Sequence, residues 1–219
     1  MKRLLHCVFR HDGTDNPEVV HNHRLAVATS PWRDKESPDV GRVLAYEKVI
    51  AMLHATRTVV PLRFGCVVED QAQILRLLDE REAEFEQLLG RLEGLVEMGM
   101  RAWWEAPPEE PLPADLTGAL TGPGARYLSA ARGRHAGLTP VEEWWADRIC
   151  GLLDGLYVQQ RREARQASEG RLLSLHFLVP KASAKHFRDR VRWIAFPGDM
   201  KSLVSGPWPP YSFVDHAGQ

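Results

Sequence analysis

The chain has 219 residues, 44% hydrophobic and 26% charged, a composition that folds around a core and does not belong with the apolar-poor, charge-rich sequences that stay disordered. At roughly 150 residues per domain, this length predicts one large or two small domains. Lys plus Arg total 28 against 29 Asp plus Glu, a formal charge of −1, so no global field draws the chain to nucleic acid or to an anionic bilayer, and neither is expected as a partner.

Leu4 to Phe9 is a β-type run. His6 interrupts it and Arg10 stops it, which makes it too short for the core of an export signal. Val19 to His21 and Leu25 to Thr29 flank Asn22-His23 and predict a hairpin, since Asn tolerates the left-handed turn conformation. Val43, Tyr46, Val49, Ile50 and Leu53 recur at helical spacing and predict a helix ending near Ala55. Thr58 to Val68 alternates as one strand, with Pro61 marking an edge or bulge and Arg63 on the opposite face. Ile74, Leu77, Leu78, Phe85, Leu88, Leu89 and Leu92 predict a helix that stops at Gly90 to Gly94. Val96, Met98, Met100, Ala102 and Trp104 return to strand period.

These elements make residues 1–106 an α+β domain, expected to be a ferredoxin-like antiparallel sheet with helices on one face. Prolines at 107, 108, 111 and 113 mark residues 107–123 as a linker. Residues 124–219 are expected to form a smaller α+β domain with a long helix. It would contain a short helix over Tyr127 to Arg132, the long helix from Pro140 to about Tyr157, a strand over Leu172 to Val179, a helix over Ser183 to Ile194 and a last strand over Lys201 to Ser205. Leu172 to Val179, the longest apolar stretch after the first strand, falls far short of the roughly 20 residues that span hydrocarbon. A soluble, cytoplasmic chain is expected. Cys7, Cys66 and Cys150 are odd in number and widely spaced, which predicts reduced thiols rather than a disulfide framework or zinc ribbon. Charge is uneven: Glu69 to Glu97 holds nine acids and three arginines, and Lys181 to Lys201 six bases and two acids.

The nucleophile elbow, the P-loop and the zincin helix are missing from the sequence. Thr121 to Arg126 is glycine-rich without the lysine of a phosphate cradle, and reads as a flexible segment. His21 and His23 are two ligands where a metal needs three or four, and Asp12, Asp15 and Asn16 lack the calcium-loop spacing. Glu142 and Glu143 diverge by about 100° on a helix and read as exposed first-turn acids. The rings of Trp103-Trp104 are expected on opposite faces of a strand, and those of Trp144-Trp145 in a core and at its margin; each pair reads as core packing with a domain-interface contact, or else as a partner-binding hot spot. No catalytic, cofactor-binding or metal-binding residue is assigned.

The stretch Ser205 to Val214 presents Trp, Tyr and Phe from a backbone stiffened by three prolines. Its G-P-W-P-P-Y-S-F-V resembles the closing signature of the gas vesicle protein L/F family (GvpL/GvpF). Val59 to Gly65, V-V-P-L-R-F-G, is similar to a second family motif, as are Leu92 to Glu97 and Gly124 to Leu128. The chain departs from the pattern where Tyr46-Glu47 stands for the usual His-Glu, and in a shortened stretch from Val19 to Trp32.

The resemblance implies a two-domain, non-enzymatic accessory or minor structural protein associated with gas vesicles. Its expected partners are the hydrophobic major shell protein and other accessory proteins. The motif residues Pro61, Arg63, Phe64, Gly65, Glu97, Tyr127, Gly206, Trp208, Pro209, Pro210, Tyr211 and Phe213 become candidate contacts. For the terminal aromatics two roles stand open, contact with the shell protein or a clamp across the two domains; for Arg63 they are a partner contact or an ion pair with an acid such as Glu97. The rival class is a small-ligand-binding or enzymatic ferredoxin-like protein using His6 or His176, which a deep pocket of convergent histidine and carboxylate groups would mark.

Overall fold

The structure is a computed structural model and describes residues 1–13, 16, 18–32, 40–104, 138–167, 170–196 and 200–214. The chain divides into two compact units, Met1–Val96 with Trp208–Gln219, and Glu97–Pro207.

The first unit is built on β1 (Arg3–Arg10), β2 (Val19–His21) and β3 (Leu25–Pro31), in the order β2-β3-β1. As the hairpin signal predicts, β2 and β3 pair antiparallel, and the Asn22 side chain closes the turn by accepting from the amides of Arg24 and Leu25 at 2.9 and 2.8 Å. The β1–β3 register slips between Leu5 and Cys7. This bulge breaks strict alternation and lets Leu4, Cys7 and Phe9 join Ala26, Ala28, Tyr46 and Ile50 in one core.

The strand expected over Thr58 to Val68 is instead two short pieces, β4 (Val60–Pro61) and β5 (Val67–Val68), both paired with β1. Residues Leu62 to Cys66 loop out between them, because Pro61 offers no ladder donor and Gly65 turns with φ +92°. Helix α1 (Val40–Thr56) buries only Tyr46 and Ile50. The single acidic helix expected next is two, α2 (Gln71–Glu80) and α3 (Glu82–Leu92), broken at Arg81 (φ −114°, ψ 20°). Asp70 caps α2 by accepting from the Gln73 amide at 2.9 Å. Part of the acidic run is paired within the first unit: Arg10 holds Glu86 and Glu93, Arg24 holds Glu82, and Arg81 grips Glu84.

The second unit's sheet contains β6 (Leu95–Trp104), β7 (Gln159–Ala167), β8 (Gly170–Pro180) and β9 (Lys201–Trp208), in the order β7-β8-β6-β9. Strand β6, expected to complete the sheet of residues 1–106, pairs in this second sheet instead, while both units mix strands and helices as the expected α+β class requires. Trp208–Gln219 groups with Met1–Val96 and not with Glu97–Pro207. The expected linker 107–123 and the helix over Tyr127 to Arg132 lie outside the described residues.

Helix α4 (Pro140–Leu152) opens with a capping box between Thr139 and Glu142, and buries Trp145, Ala146 and Ile149. Helix α5 (Ala184–Arg192) buries Ala184, Phe187 and Val191. As expected of the tryptophan pairs, Trp104 and Trp145 are buried while Trp103 and Trp144 are partly exposed. Glu142, expected at the surface, is buried at 1% exposure, with Arg171 donating to it twice at 2.7 and 2.8 Å. Among the described residues, no helix is long and apolar enough to cross a membrane.

Candidate functional site

The motif V-V-P-L-R-F-G forms the loop between β4 and β5. Pro61 is buried opposite Cys7; the Leu62 amide donates to the His6 carbonyl at 2.9 Å, and the Leu5 amide to the Cys66 carbonyl at 2.9 Å. These bonds stitch the loop to β1 on both sides. The Tyr46 hydroxyl donates to the carbonyls of Leu62 (2.6 Å) and His6 (3.1 Å). Burial pushes this phenol above its ordinary range and the Cys7 thiol up to about 12, so neither ionises near neutral pH. Phe64 packs edge-on against Tyr46, 5.2 Å between ring centres, and Arg63 and Gly65 are the exposed members of the motif.

The terminal signature is anchored residue by residue. Gly206 has φ +104°, and a Cβ there would lie 2.6 Å from the Glu97 carbonyl oxygen, so the site demands glycine for both conformation and space. The Arg188 guanidinium donates to the Gly206 carbonyl. Beyond it, within the first unit, Pro209 and Pro210 are buried, Tyr211 packs on the core around Leu4, Cys7 and Phe9, and Phe213 is fully buried. Trp208 stays half exposed, at 50%. Within the second unit Glu97 is buried, and its Oε1 is hydrogen-bonded with His176 Nδ1 at 2.9 Å. The motif residue Tyr127 lies outside the described residues.

His6 and His176, the acid/base candidates of the rival reading, therefore sit in separate units. His176 is engaged with Glu97, whereas His6 is 3% exposed in the wall of a cleft of about 510 Å³. His11 stacks on His21 at 3.8 Å and His23 lies 3.7 Å from Glu82. Among the described residues, no group of three or more His, Cys, Asp or Glu could hold a metal ion.

Sequence reasoning missed the outer surface of α1. At 100° per residue, Val40, Leu44, Ala51 and Ala55 fall within about 60° of one another, and all four are exposed, opposite the buried Tyr46 and Ile50. The helix thus carries apolar residues on two sides. The signal was present in the sequence, where apolar residues outnumber the positions one buried face requires.

The family model for gas vesicle synthesis protein GvpL/GvpF matches residues 5–215. The chain belongs to that family. It is 30% identical to gas vesicle protein L of Streptomyces sp. (strain CB03234) over 184 residues, 78% of this chain and 67% of that protein. It is also 30% identical to gas vesicle protein F of the same strain over 209 residues, 87% of this chain and 84% of that one. The fold is that of two crystal structures of the gas vesicle protein GvpF. The one from Anabaena sp. PCC7120 has a TM-score of 0.72 at 18% identity, covering 100% of this chain and 98% of that chain. The one from Microcystis aeruginosa has a TM-score of 0.69 at 16% identity, covering 97% and 98%. A role connected with gas vesicles follows from membership.

Proposed function

We propose that this protein is a non-enzymatic accessory or minor structural component of gas vesicles that acts in the cytoplasm, binds the major shell protein and supports shell assembly. The observation that carries the reading is the exposed apolar stripe of α1, with Val40 76% and Leu44 59% exposed. Water penalises such a stripe at about 25 cal/mol per Å² of apolar surface, and a hydrophobic partner removes that penalty by covering it. A shell subunit awaiting assembly has the matching need, to keep its own apolar surface out of water. Other accessory proteins are secondary partners in this reading, through the exposed Arg63 and Trp208.

The test is co-purification from cells that express both this protein and the major shell protein. The wild type is expected to capture the shell protein, and a Leu44→Glu/Ala51→Glu variant with unchanged melting temperature to lose it. Absence of capture by the wild type contradicts the reading.

A further inference from the structure

Helix α1 touches the first sheet at Tyr46 and Ile50 and leaves a gap beside them. The sheet side of this cleft is lined by Leu4, His6, Ala28 and Ser30, and the helix side by Ala45, Val49 and Leu53. At about 510 Å³ it falls within the range of small-molecule sites, and it is open on one side.

The lining mixes apolar side chains with polar ones, Asn16 and Thr29 among them. His6 Nε2 lies 3.0 Å from Ser30 Oγ, and the imidazole stacks on Tyr46 with ring centres 4.7 Å apart. His6 Nδ1 is buried without a hydrogen-bond partner, a state that costs on the order of 1–3 kcal/mol. Arg42 and Glu18 also line the cleft, one of each sign, with the Arg42 guanidinium 4.2 Å from the centre of the Trp32 ring. A cation and an anion together give no net preference for a charged ligand. Burial keeps the imidazole pKa below its ordinary value, so the inner polar group is neutral as well.

We propose that this cleft binds a small, neutral, largely apolar molecule carrying one hydrogen-bonding group, such as a hydroxyl or amide, that pairs with the His6 imidazole. This activity is separate from shell binding. The outer stripe of α1 faces away from the sheet, so occupancy of the cleft leaves the stripe uncovered. Ala45 is the position at which to test it, because it lines the cleft yet is exposed on the helix, and a bulky side chain there obstructs the cleft without entering the core.

The probe is N-phenyl-1-naphthylamine, a neutral fluorophore with an apolar body and one N–H. The full-length protein is expected to enhance its fluorescence saturably. Octanol is expected to displace it at a concentration at least about tenfold lower than octanoate or octylammonium does, a difference of about 1.4 kcal/mol in binding. Ala45→Trp is expected to abolish the signal at an unchanged melting temperature, and Trp193→Ser, which removes the most exposed tryptophan (86%), to retain it. Overturning results are no saturable enhancement by the wild type, full enhancement by a folded Ala45→Trp variant, or displacement by octanoate as effective as by octanol.

Discussion

Arg91 donates from Nη2 to the carbonyl oxygen of Phe213 at 2.6 Å, so the last turn of α3 grips a residue 122 positions away. Phe213 is fully buried and the carbonyl is fixed by a charged donor, which makes the terminal aromatics parts of a fold before they are anything else. Phe213→Ala is expected to cost about 3–5 kcal/mol and Arg91→Ala about 1–3 kcal/mol. Trp208→Ala, at a half-exposed site, is expected to cost less than about 1 kcal/mol. Urea unfolding of the three variants checks the ranking.

Two glycines with the same backbone demand separate conformational strain from steric clash. Gly65 (φ +92°) has open space where a Cβ would sit, whereas at Gly206 (φ +104°) that atom meets the Glu97 carbonyl oxygen at 2.6 Å. Gly65→Ala is expected to cost only the left-handed strain, about 1–2 kcal/mol. Gly206→Ala adds the clash and is expected to cost about 3 kcal/mol or more. Equal losses on thermal unfolding would contradict this geometry.

Glu142 gives a pH-dependent term. Burial alone would raise its carboxyl pKa, but the bonds from Arg171 and Thr139 outweigh burial and hold it below the ordinary 4.5. A depressed carboxyl contributes stability that is present above the unfolded value and is lost as pH falls through the folded one. Glu142→Gln leaves Arg171 without its counter-charge and is expected to cost about 3–5 kcal/mol at pH 7. The gap between wild type and variant should close as pH falls below 4.5, measured by denaturant midpoints across that range.

His6 acts with the same sign in a different window. Its pKa is lowered from 6.5 mainly by burial, partly opposed by the Glu18 charge. Below pH 6.5 the unfolded chain takes up a proton that the folded chain refuses, so stability falls as pH falls. A His6→Phe variant should show a weaker loss of melting temperature between pH 7 and pH 5 than the wild type. An identical slope would show that the loss arises elsewhere.

The regular elements were legible where side chains alternate or recur with burial. β1, the β2–β3 hairpin, β6 and β8 follow their apolar pattern, and α4 begins at Pro140 as expected but ends at Leu152, short of Tyr157. Strand β7 was not legible. Its sequence Gln-Gln-Arg-Arg-Glu-Ala-Arg-Gln-Ala has no apolar alternation, and its strand state comes from antiparallel pairing with β8. The sheet to which β6 belongs was hidden for the same reason, since pairing partners are non-local. Glu142 was misplaced because spacing along a helix cannot show that Arg171, 29 residues away, lies against it. The cleft is a gap between elements, and no run of residues encodes it. His6 was nonetheless identifiable as a titratable group inside an apolar strand and Pro61 as an edge or bulge position, whereas Gly65 and Gly206 stood out only as motif residues.

The central claim is that the outer stripe of α1 meets the major shell protein. A photo-reactive benzoylphenylalanine placed at Leu44, and separately at Trp193, in cells producing both proteins tests it most directly. The account predicts a crosslink to the shell protein from position 44 and none from position 193. A crosslink from position 193 with none from position 44 would contradict it.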